Sequence, residues 1–69
     1  MIFIVIEIQK SANDTVATLV TTFTNQLQAE AKYHTALAAA AVSSVPVHGA
    51  VILTETGELM ASASYRHNV

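Results

Sequence analysis

The groups in this chain able to do chemistry are few: His34, His48 and His67, Tyr33 and Tyr65, and Arg66. A guanidinium pairs with phosphate or carboxylate, and an imidazole donates hydrogen bonds or binds metal. The histidine spacing fits no metal motif such as H-E-x-x-H, so no metal site is expected. There is no cysteine, which excludes disulfides and thiolate sites. Nor is there a G-x-S-x-G turn or a glycine loop to cradle phosphate. Ser43 or Ser44 with His48 could make a nucleophile pair, but serines before Pro46 read as cap and turn residues. Glu7 and Asp14 read as solvated carboxylates. No catalytic residue is assigned and no cofactor is expected. The residues point to binding instead: Tyr33, His34, His48, Tyr65, Arg66 and His67 are the candidate ligand contacts.

Composition says what must position them. A domain of 69 residues buries only about 60% of its unfolded surface, so a lone core is marginal. Hydrophobic residues are 52% and charged residues 12%, about half the usual charged share. So few charges protect a monomer poorly against association, and a homo-oligomer is expected. Three bases and a net charge of −2 exclude an extended nucleic-acid surface. Residues 2–6 lack a basic flank and Glu7 interrupts them, so they do not read as a secretion signal. The uncharged stretch 35–54 is interrupted by Ser43, Ser44, Pro46, His48 and Gly49, and reads as helix, turn and strand rather than a membrane span. A cytoplasmic location follows as the expectation.

Hydrophobic periodicity predicts strands over 1–9, 15–23, 47–53 and 58–67, with a helix over 27–42. Asn25 reads as its N-cap with Gln28 completing a capping box. The predicted fold is α+β: a single ββαββ domain over 1–69, a four-stranded antiparallel sheet of order 2-1-3-4, and the helix on one face as a right-handed crossover. The first strand, apolar on both faces, belongs in the centre. If Lys10 faces Thr15, then Ile2, Ile4, Ile6 and Ile8 form the core face. With Thr54 paired to Glu58 around Gly57, that face also takes Val47, Val51, Leu53, Leu59, Ala61, Ala63 and Tyr65. The helix stripe Leu27, Ala31, His34, Leu37, Ala38, Ala41 and Val42 is expected to lie on it. The second face, with Phe3, Val5, Val20, Ala50, Ile52 and Met60, is the expected subunit interface.

This topology gathers polar groups at one end of the sheet: Glu7, Gln9 and Lys10, His48, Ser43 and Ser44, and Tyr65, Arg66 and His67. Either that end is a polar rim, or subunits share it as a pocket for a small anionic or nucleotide-like ligand. Tyr33-His34 is a second place, with His34 either a core-edge histidine or a pocket group.

The segment Tyr33-His34-Thr35-Ala36-Leu37 through Ala41-Val42-Ser43-Ser44-Val45-Pro46-Val47-His48 resembles short uncharacterised proteins of Gram-positive bacteria and their phages. The resemblance covers the second half of the chain and contains no functional motif, so no site is carried over. It implies a stoichiometric role in anti-defence, as a sponge for a nucleotide signal or an inhibitor of a host protein; the second reading of the chain is accordingly a protein–protein inhibitor or adaptor acting through the apolar sheet face or an edge strand. A small histidine-dependent hydrolase or isomerase is the third reading.

Overall fold

The computed structural model describes residues 1–67 and contains five elements in the order ββαββ. β1 spans Phe3–Lys10, β2 Val16–Phe23, α1 Gln26–Ala41, β3 Val47–Thr54 and β4 Leu59–Arg66. The sheet is antiparallel with order β2-β1-β3-β4. β1, the most apolar strand, is therefore bonded on both sides and presents no free edge. The uncharged stretch 35–54 divides into the end of α1, a turn and β3. Among the described residues, no helix is long and apolar enough to cross a membrane.

Both hairpins turn through the same three-residue loop. In the second, the Thr54 N–H donates to the Glu58 carbonyl and the Gly57 N–H to the Thr54 carbonyl, each at 2.9 Å. Gly57 takes a φ of 86°, the left-handed conformation expected of it. In the first, Ser11 donates to the Thr15 carbonyl at 2.9 Å and Asp14 donates to Ser11 at 3.0 Å. Here Asp14 takes the left-handed position, with φ 66°. A short polar side chain tolerates that region better than most. Asn13 Oδ1 braces the turn by accepting from the Thr15 N–H and the Ser11 hydroxyl.

This loop corrects the expected register. Ser11, not Lys10, faces Thr15, and Lys10 pairs with Val16, Ile8 with Thr18 and Ile6 with Val20. A slip of one residue moves every β2 side chain to the other face. β4 carries a second correction. Leu53 faces Leu59 as expected, but the next pair is Ile52 with Ala61, which leaves Met60 as the extra residue of a bulge. From there Ala61, Ala63 and Tyr65 share a face with Ile52, Ala50 and His48.

The helix begins where Asn25 predicts. Asn25 Oδ1 accepts from the N–H of Leu27 at 2.8 Å and of Gln28 at 3.1 Å. Its buried face is Ala29, Tyr33, Ala36 and Ala40, with Leu37 packed beside them. Apart from Leu37, the expected stripe is on the opposite side: Leu27 is 75% and Val42 86% exposed, and Ala31, His34, Ala38 and Ala41 are exposed with them. An alanine-rich helix is nearly uniform in hydropathy, so periodicity alone cannot choose its inner face. The inner face carries Tyr33, flanked by alanines small enough to let the backbone approach the sheet.

The face that α1 covers is also the reverse of the expected one. Val5, Ala50 and Ile52 are buried beneath the helix, with Phe3, Phe23 and Ala61 packed around them. Ile4, Ile6 and Ile8, cross-strand from Leu53, Val51 and Gly49, lie on the open face. β2 and β3 run in the same direction with β1 between them, so the helix is a crossover. The hand of a crossover, not hydrophobicity, selects the covered face.

Candidate functional site

The strand register brings the predicted polar groups to one end of the sheet and divides them between its two faces. On the helix side, Gln9 is cross-strand from His48 and His48 from Tyr65. His48 is 4% exposed. Its Nε2–H donates to the Glu7 carboxylate at 2.7 Å, two positions along β1 from Gln9. The carboxylate is itself mostly buried. His48 Nδ1 is buried with no hydrogen-bond partner among the described residues. A carboxylate orienting one imidazole nitrogen with the other left free is an acid–base arrangement, but here the free nitrogen is closed off from substrate. The pair is positioned as a buried polar lock between β1 and β3.

His67 is engaged as well. Its backbone N–H donates to the Pro46 carbonyl at 2.8 Å, and its Nε2 donates to the Ala40 carbonyl at 2.6 Å. The last turn of α1 has no Lys or Arg. The imidazole therefore adds a side-chain donor to the Ala40 carbonyl, which also accepts from the Ser43 N–H at 3.3 Å. Its ring stacks parallel to Tyr65, with centroids 6.2 Å apart. With Glu7 and the helix C-terminus gathered on this side, its electrostatics disfavour an anion.

The open face differs. Lys10, Val47 and Arg66 form one cross-strand row at its end. Arg66 is exposed, and Lys10 makes an exposed ion pair with Asp14 at 3.2 Å. The next row is Thr18, Ile8, Gly49 and Ser64. A depression of about 400 Å³ lies over Gly49. It is lined by Ile8, Val47, Val51, Ser62 and Ser64. Gly49 has no room for a side chain, since a Cβ there would lie 2.7 Å from both the Ala63 carbonyl oxygen and Ser64 Cβ.

No family model, curated protein or solved structure matches this chain.

The six predicted contacts thus fall into three groups. His48, Tyr65 and His67 meet on the helix side of the polar end. Arg66 is at the same end but on the opposite face. Tyr33 and His34 are elsewhere on α1: Tyr33 is buried in the core, and His34, expected in the inner stripe, is exposed and edge-on to it at 5.4 Å. Among the described residues, no three His, Asp or Glu side chains come together to hold a metal. The sequence places Glu7 and Lys10 at this end of the sheet, but it does not pair Glu7 with His48 and does not mark Gly49 as part of a site. The pairing of β1 with β3 is the signal that joins Glu7 to His48. The depression depends on the β4 bulge, for which the sequence carries no clear sign.

Proposed function

We propose that this chain is a cytoplasmic, non-enzymatic binding protein that works as a homo-oligomer. Its subunits join through the open sheet face and hold a small anionic ligand between them. The observation that carries the reading is that face: Ile4, Ile6, Ile8, Val51 and Leu53 at the centre, with Val20 and Leu59 more than half exposed beside them. Sheets with one face uncovered normally alternate apolar-in and polar-out. This one is largely aliphatic on the side that no described element covers. Strands of eight residues in a four-stranded sheet make a face of roughly 26 Å by roughly 19 Å. Two copies packed face to face bury on the order of 1,000 Å², near the lower bound for a specific interface. Charge supports an anionic ligand there, because two of the chain's three bases, Lys10 and Arg66, share the end row of that face.

Sedimentation equilibrium of the wild type and of Ile6→Lys tests the assembly. The wild type is expected to be a dimer or larger at micromolar concentration. The variant is expected to keep its circular dichroism spectrum while its association weakens at least a hundredfold. A folded wild-type monomer at those concentrations defeats the reading and leaves the face to a different protein.

A further inference from the structure

We propose that the depression over Gly49 is the ligand pocket, and that it takes an amphipathic anion: a flat apolar ring with one phosphate or similar group. This rests on the binding reading above and names its site and ligand class. The hollow arises because two neighbouring strands lack side-chain bulk at one spot. On β3 the position is Gly49, kept bare by the close approach of Ser64. On β4 the same face carries only the short Ser62 and Ser64. The surface therefore drops by the depth of a side chain between the taller Ile8, Val47 and Val51. Ligand sites of this size are commonly apolar with a few convergent polar groups. Here those groups are the two serine hydroxyls and, one row further along β4, the Arg66 guanidinium.

Each half of the ligand follows from a different part of the site. Aliphatic walls around a glycine floor suit a planar ring, which needs no hydrogen-bonding partner on its faces. The guanidinium one row away suits a doubly accepting anion, which it can grip in a bidentate fork. Lys10, across Val47 from Arg66, adds positive field to the same rim, although Asp14 offsets part of it. On the helix side, Glu7 and the helix carbonyls repel the anion. A second copy seated on the face would close over the hollow and exclude water from it.

Isothermal titration of the full chain with 1-naphthyl phosphate and with neutral 1-naphthol tests this. One naphthyl phosphate is expected per subunit, bound at least tenfold more tightly than naphthol. Ser64→Val fills the hollow with a residue favoured in strands, and should weaken both ligands at least tenfold. Arg66→Gln should weaken the phosphate to the level of naphthol while leaving naphthol unchanged. Absence of naphthyl phosphate binding, or binding indifferent to Ser64→Val and to Arg66→Gln, overturns the proposal. Should Ser64→Val fail to fold, Ser62→Val makes the same test. Sedimentation of the same samples separates the two readings: a monomer that binds removes the oligomer and keeps the pocket, whereas an oligomer that does not bind removes the pocket alone.

Discussion

At the scale of single residues, two side chains and two glycines decide the most. Gly49 and Gly57 are both required, for opposite reasons. Gly57 has open space around its missing Cβ but a φ of 86°, whereas Gly49 has an ordinary φ but β4 backbone in the way. Gly57→Ala should cost about 1 kcal/mol in urea unfolding, from backbone strain alone. Gly49→Ala should cost more, about 1 to 3 kcal/mol, because it pushes two strands apart. Equal costs would mean that β4 yields easily at Ser64. The Glu7–His48 bond makes a different prediction. His48→Leu leaves a mostly buried carboxylate without its donor, and Glu7→Met leaves a buried imidazole without its acceptor. Each should cost about 2 kcal/mol. The double variant Glu7→Met/His48→Leu should lie within about 1 kcal/mol of wild type, since an apolar pair needs no partners. A double variant as unstable as the sum of the singles would show that the pair does more than satisfy itself.

Among the elements, the helix gives the sharpest contrast between pattern and packing. Its apolar content is spread around the cylinder, and two stripes compete for the sheet. The stripe through Leu27, His34 and Val42 looks the more hydrophobic, yet the stripe through Ala29, Tyr33, Ala36 and Ala40 is buried. Ala36→Leu should therefore destabilise the fold by about 1 to 3 kcal/mol through overpacking, and Leu27→Gln should change it by less than about 0.5 kcal/mol. Thermal unfolding of the two variants reads this directly, and the opposite order would place the helix the other way round. The N-cap needed no such choice. Asn25 was legible because a cap is a local matter of one side-chain oxygen and two nearby N–H groups. The hairpins lie between these cases. Gly57 announces a left-handed residue by its type; Asp14 does the same work without the glycine, and its loop is one residue shorter than it reads.

For the whole molecule, the consequence of these local choices is where the aliphatic surface ends up. The face taken by the helix leaves Ile4, Ile6 and Ile8 on the open side, the slip in β1–β2 sets Val20 beside them, and the bulge in β4 brings Ser62 and Ser64 to the same face. If a second copy covers them, folding and association are linked, and stability depends on protein concentration. The melting temperature of the wild type should rise by several degrees between 1 and 100 µM, on the order expected of a marginal small domain. Ile6→Lys should melt at one temperature across that range. A wild-type melting temperature independent of concentration would contradict the assembly. The polar end behaves similarly. Its residues were legible as neighbours because strand order places strand ends together, but which face each one joins was not.

What the sequence determined by itself was everything set by local chemistry or by strand count: five elements, the cap at Asn25, the turn at Gly57, the central place of the first strand and the order of the sheet. Those follow from periodicities and side-chain types that act over a few residues. The tertiary structure decided the faces. Side chains alternate with a period of two, so a single residue gained in a loop or a bulge reverses every assignment beyond it. The side taken by the crossover is a matter of chirality, which leaves no mark in hydropathy. That is why Glu7 and His48 meet beneath the helix while Arg66 stands beside an aliphatic sheet face.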